Sequence, residues 1–427
     1  MNGETRHFLL AGLAAALVFG SVRAEEEPLP ADGLTDVTAQ IQQRIDGRAE
    51  TGGEVLLPPG KYLITGSLKV PQGVCLRGSW DMPHHGAAWK KGTTLLITGG
   101  RGSENGPAAI TLAEDSSVQG ITMLWPEQVW NDIQPYPWAI EGHGRHVTVE
   151  NVTLVNAYQG IWTGAQDGSL HLIRNVYGCV LRRGIFVDAT SDIGRIENIH
   201  FNTHYWLGSG HPSSDGGAVA DARGKKDNGD KVVAYVRDNL EAFIFGRSDW
   251  EYVLNTFVWD AKYAYHFIKT PHGACNGQFL GIGADYCRSC VQIDDIQPIG
   301  LQITNGEFTA FAGDPNTAIV TAPGAGGAVQ LVNCNFWGTK NHVLWMQGDT
   351  VITLSSCHIL DAYPAGAILA ERGKLIVQGC TFDRSGTTAI IQKGVRAAIL
   401  MGNLQPGGVQ VQNEIGAHAQ LGLNETP

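Results

Sequence analysis

One asparagine returns through this chain at a spacing that few folds accommodate. Asn151 in ENVTLVN, Asn175 in RNVYGCV and Asn198 in ENIHFN stand 24 and 23 residues apart. The column continues through Asn255, Asn276, Asn305 and Asn333, after which Ser356, Gly379 and Gly402 follow at intervals of 23. Around each member lie short runs rich in β-branched and aromatic residues. A period of roughly 20 to 30 residues built this way predicts a β-solenoid, each coil stacked on the last. No helical period separates the runs, which argues against a leucine-rich repeat. Asn151, Asn175, Asn198, Asn276, Asn305 and Asn333 are therefore expected in one row, where their amides would bond to each other and to turn backbone. Cys334, Cys357 and Cys380, also 23 apart, are expected in a neighbouring inward row as thiols.

Alternation along each strand assigns the faces. With Ile185 and Val187 pointing inward, Phe186 and Asp188 point outward, and Trp162 lies over the same column one coil earlier. CVQID repeats the parity, so Asp294 is expected outside. AYHFIK admits His266 on either face.

The 427 residues suffice for one large domain. Arg6 and His7, the apolar run FLLAGLAAALVFG and SVRA before EEE read as a secretory leader over residues 1–24, cleaved after Ala24. The remainder, 25–427, is expected as one solenoid domain, secreted or periplasmic, with no membrane span. A net charge of -11 argues against nucleic acid as a partner. Cys287 and Cys290 form a CxxC without a second pair or a matched histidine pair, so no metal site is assigned.

The segment GGEVLLPPGKYLITGSLKVPQGVCLRG, preceded by the expected capping helix DVTAQIQQRIDGRAE, resembles the first coil of the pectate-lyase-like superfamily, in particular its rhamnogalacturonase and epimerase-like members. The resemblance implies an all-β, right-handed parallel β-helix that acts on extracellular carbohydrate by hydrolysis, elimination or glycosyl transfer. The polygalacturonase residue set is not present: Asp294 and Asp295 form a DD pair, but His143 and Gly144 lie upstream of it and no RIK follows.

The longest interruption of the period lies between Asn198 and Asn255, where a polar, glycine-rich loop is inserted around 207–231. Long loops beside a regular solenoid build walls of binding sites. Near it stand groups suited to sugar chemistry. Asp188, Asp249 and Glu251 are the candidate catalytic carboxylates, since glycoside hydrolysis needs two carboxyl groups within reach of one bond. Trp162, Arg183, His204, Tyr205, Arg247, Trp250, His266 and Asp294 are the candidate substrate-binding residues. Asp192 is expected to serve its turn. The first expectation is a glycoside hydrolase cleaving a polysaccharide or oligosaccharide without a cofactor, as a monomer or homotrimer. A lyase or fructotransferase-like enzyme is the alternative; a lyase would use Arg183, His266 and Lys269, with a cation such as calcium. A noncatalytic carbohydrate-binding or tailspike-like surface protein is the third.

Overall fold

The computed structural model describes residues 27–84, 89–214, 226–311, 316–339, 341–361 and 363–426. The expected leader, 1–24, and part of the expected loop, 215–225, lie outside the described residues. Within them the chain winds as a parallel β-solenoid of 31 strands. Successive coils pair in parallel and in register, so that Phe186 sits on Ile244, Ile244 on His266 and His266 on Gln292.

The repeating asparagine marks a corner of the coil. Asn151, Asn175, Asn198, Asn255, Asn305, Asn333 and Ser356 have positive φ, as do Gly379 and Gly402. Asparagine and glycine tolerate that left-handed conformation best. The amides also chain along the axis: Asn175 Nδ2 donates to Asn151 Oδ1 at 2.8 Å, and Asn198 Nδ2 to Asn175 Oδ1 at 2.7 Å. Asn333 repeats the bond to Asn305 at 2.8 Å. Asn276 is not in this row. Its place is taken by Gly281, whose added Cβ would stand 2.9 Å from Asn255 Oδ1. Asn276 instead accepts from the Trp250 amide and donates to Gln297 in another turn.

Inward residues stack as columns. Ile161, Ile185, Phe243, Tyr265, Val291 and Ile319 follow one another through consecutive coils, all buried. The Phe243 and Tyr265 rings stack 5.0 Å apart. Each such side chain contributes on the order of 1.5–3 kcal/mol by leaving water. Cys334, Cys357 and Cys380 form the expected inward row, their thiols donating to main-chain carbonyls; all eight cysteines are free thiols.

At the N-terminal end, helix α1 (Thr38–Asp46) buries Ile41 and Ile45. Its Gln42 pairs with both main-chain groups of Lys69 on strand Leu68–Val70, satisfying backbone that a strand edge would leave open. The stretch between Asn198 and Asn255 holds helix α2 (His204–Leu207) and helix α3 (Lys226–Asn239). The segment expected as loop thus becomes helical from residue 226. No helix among the described residues is long and apolar enough to cross a membrane.

Candidate functional site on the outer sheet

One outer face is built from segment 183–187 and strands Glu241–Phe245, Tyr263–Phe267 and Ser289–Ile293. The period of two puts His266 on its outside, between Tyr265 and Phe267, which fill the core. His266 Nδ1 meets Glu241 Oε2 at 2.8 Å and Nε2 meets Asp294 Oδ2 at 2.9 Å. Two carboxylates on one imidazole make it an imidazolium donating from both nitrogens. Burial alone would push His266 down, but its bonds to Asp294 and Glu241 outweigh that and hold its pKa above the ordinary value. Burial likewise opposes ionisation of Glu241, yet the bonds from His266 and Arg182 bring it down to about 2. Asp294, despite partial burial, is lowered by His266 and Gln292. It is the open end of the trio, with a side chain 45% exposed.

Arg182 Nη1 anchors the closed end, donating to Glu241 Oε1 at 3.0 Å and to the Asn239 carbonyl. Beside it Arg183 donates to Gln159 Oε1 at 2.8 Å, with Glu104 at 3.7 Å. Glu104 in turn accepts from Tyr158 at 2.7 Å. Lys269 follows strand Tyr263–Phe267 and pairs with Asp295 at 3.1 Å. The face therefore presents one accessible ionised carboxylate, with Lys269 paired to its chain neighbour Asp295 and the two arginines three coils away. On the coils before Asp294, Trp138, Trp162 and Phe186 form a cluster of rings, with Trp162 and Phe186 stacked at 6.2 Å and 7°. Trp138 and Phe186 are also 6.5 Å apart, so the three rings close a triangle in which Trp162 packs against both neighbours.

Residues 24–205 match the family described as Rhamnogalacturonase A/epimerase, pectate lyase-like. The match covers less than half of the chain and ends where the long excursion of the solenoid begins. Among solved structures, the mannuronan C-5 epimerase AlgE6 A-module of Azotobacter vinelandii is similar at TM-score 0.55 and 14% identity, over 93% of this chain and 97% of that one. Bacteriophage phi29 gene product 12 is similar at TM-score 0.64 and 11% identity, over 93% of this chain and 54% of that one. The DFA-IIIase of Arthrobacter chlorophenolicus A6, in complex with GF2, is similar at TM-score 0.44 and 10% identity, over 88% and 93%. At these identities the likeness to the first two concerns the fold alone. No curated protein matches the sequence.

The solenoid separates the expected site residues into three places. His266 and Asp294 are bonded on the face just described, which also carries Arg183 and Trp162 on earlier coils. Asp188 shares the outward parity of Asp294 but is only 6% exposed. The following turn folds over it: its Oδ1 accepts from the Arg247 amide and the Thr270 hydroxyl, both at 2.8 Å. Parity alone could not reveal that cover. Asp188 thus holds a turn instead of opening a cleft, whereas Asp192 stands 51% exposed in its turn.

Glu251 points into the core, fully buried, where the outward cleft was expected. The cause is Trp250, whose positive φ makes a bulge that shifts the register between Ser248 and Glu251 and reverses the alternation. Glu251 is bonded there to His171 and Ser248. Trp250 itself is 58% exposed. Arg247 pairs with Asp249 at 2.9 Å, and Gln297 donates to Asp249, so these residues form a turn network. His204 and Tyr205 lie beyond a different sheet. His204 stacks on Trp259 at 5.0 Å, and Tyr205 is buried with its hydroxyl 3.0 Å from His200 Nδ1. Tyr205 therefore offers no ring to a substrate.

Glu241 is the functional candidate that sequence reasoning missed. Aligning RRGIFVD, NLEAFIFG and KYAYHFIK on their inward residues places Arg183, Glu241 and Tyr263 in one column, as the strands do. The only group among the described residues with metal-ligand spacing, Glu114, Asp115 and His146, is exposed, and Asp115 already accepts from Gln72 and His146.

Proposed function

We propose that this β-helix is a carbohydrate-active enzyme whose reaction begins with Asp294 taking a proton from a sugar. The observation that carries this is His266 held between Glu241 and Asp294. An imidazolium bonded on both sides has no free lone pair to act as base, whereas Asp294 is ionised, oriented and open to solvent. A proton α to a uronate carboxylate is the one such a base can remove, provided a cation receives the charge that develops on the carboxylate. Lys269, which pairs with Asp295 directly after Asp294, is the cation we assign to that role, since Arg183 stands three coils away and is bonded to Gln159.

In an elimination, the C5–H bond breaks toward Asp294, the electron pair forms the new double bond, and the C4–O bond breaks, its oxygen taking a proton from solvent. In an epimerisation Asp294 keeps the proton it removed, and solvent delivers another to the opposite face of the same carbon. Hydrolysis, the first expectation, needs one carboxyl held protonated. Glu241 and Asp294 are both driven toward the ionised form, which favours the base-initiated reading. Calcium, expected for a lyase, does not fit this face: Glu241 is held by His266 and Arg182, and Asp294 by His266 and Gln292. Asp295 is engaged by Lys269.

The test is a polysaccharide panel, uronate-containing and neutral, followed by ultraviolet absorbance for unsaturated product, by reducing ends, and by proton exchange from solvent at C5. Unsaturated product or C5 exchange, abolished in Asp294→Asn with an unchanged melting temperature, supports the proposal. New reducing ends without either signal overturn it in favour of hydrolysis.

A further inference from the structure

A second outer face carries a groove of about 500 Å³ that none of the groups above uses. Its floor is a notch in one outward column. Phe257, Gly283, Glu307 and Asn335 succeed one another through four coils, and only glycine lacks a side chain. A Cβ on Gly283 would stand 2.8 Å from the Phe257 ring. The neighbouring column adds Asp285 beside Trp259, and Trp337 closes the far end. Two corner asparagines, Asn255 and Asn305, form the third side.

The chemistry of the lining is selective. Phe257 and Trp337 offer apolar ring surface, and Trp337 Nε1 donates to Glu307 Oε1 at 3.0 Å, which fixes both side chains. Asp285 Oδ1 is buried without a hydrogen-bond partner, although Asp285 lines the groove. A buried carboxylate oxygen lacking a donor costs stability unless something supplies one. Hydroxyl groups do so, while anions cannot. No lysine, arginine or histidine lines the groove. Aromatic surface beside carboxylate and amide acceptors fits a ring with many hydroxyls and no charge.

We propose that this groove binds a neutral oligosaccharide, with Phe257 and Trp337 against the sugar rings and Asp285 and Glu307 accepting from their hydroxyls. The site is separate from the Asp294 face and does not depend on the reaction assigned there.

The test is calorimetric titration of the whole protein with cellohexaose, xylohexaose and mannohexaose, and with trigalacturonate as the charged counterpart. At least one neutral hexaose should bind, with Trp337→Ala and Asp285→Asn each weakening it about tenfold or more. His266→Gln should leave that binding unchanged, because it lies on the other face. Binding that survives both groove substitutions, or that His266→Gln abolishes, overturns the proposal, as does the absence of binding by all three neutral sugars. Asp285→Asn preserves shape, so a loss seen there with an unchanged melting temperature is a loss at the groove.

Discussion

His171 Nε2 and Glu251 Oε1 lie 3.0 Å apart inside the solenoid, with both side chains fully buried. The other imidazole nitrogen meets the Gly168 carbonyl at 2.8 Å, and Glu251 Oε2 accepts from Ser248 at 2.5 Å. Gly194 makes room for the pair, since a Cβ there would meet His171 Cε1 at 2.2 Å and Glu251 Oε2 at 2.3 Å. Breaking a buried pair by removing one partner costs about 3–5 kcal/mol, and Glu251→Ala should lower stability by that amount in denaturant titration. Burial opposes the charge on His171, but Glu251 outweighs it and raises the pKa above the ordinary value. The pair's stabilisation is therefore complete below the unfolded-state pKa of histidine and fades as pH rises through the folded one. The gap between wild type and Glu251→Ala should narrow over that same rise; a gap that widens would refute the assignment.

Asp260 titrates with the opposite consequence. Burial raises it from the ordinary carboxylate range to about 7, with Arg237 opposing. The folded state thus holds the proton more tightly, and stability falls by on the order of 4 kcal/mol as pH climbs from 4 to 7. Asp260→Asn removes this loss, and asparagine suits its positive φ. The variant should melt above wild type at pH 8 and level with it near pH 4.

Asp188 is expected to behave as a structural carboxylate. Asp188→Ala leaves the Arg247 amide and the Thr270 hydroxyl without their acceptor, at a cost of roughly 2 kcal/mol. Turnover per folded molecule, measured on whichever panel substrate is processed, should stay within a few-fold of wild type. A loss of orders of magnitude with unchanged melting would restore Asp188 to the reactive centre.

The asparagine corner separates two contributions. Asn175→Gly keeps the left-handed backbone and loses the amide ladder, while Asn175→Ala loses both. Alanine in that conformation costs about 1 kcal/mol more than glycine. Urea midpoints should rank wild type, then glycine, then alanine.

The solenoid was legible because its period is carried by residues with backbone reasons to recur. Asn151, Asn175 and Asn198 stand at corners that need positive φ, and the Cys334, Cys357 and Cys380 row follows the same count. The site was less legible because a single local event defeats parity. The Trp250 bulge turned Glu251 inward, and the Arg247 to Thr270 turn covered Asp188. Asn276 matched the asparagine pattern by sequence and not by backbone, since Gly281 holds the corner in that coil. Glu241 escaped notice for a related reason: 57 residues separate Asn198 from Asn255, and no count across that gap locates the next strand. Asp294, by contrast, lies in an uninterrupted coil, and alternation placed it correctly on the outside.

The stretch between Asn198 and Asn255 also shows what the coil tolerates. Two helices leave the wall and return, yet strand Arg195–Asn202 still pairs in register with 252–259. Contacts in such an array run mainly between adjacent coils, so an excursion from one turn leaves the rest unchanged. The outer surface can therefore be rewritten one turn at a time, by lengthening a loop or exchanging an outward side chain, while the inner columns carry the fold unaltered. Chemistry and stability occupy opposite sides of the same strand, which lets a lineage change what this helix acts upon without first finding a new way to fold.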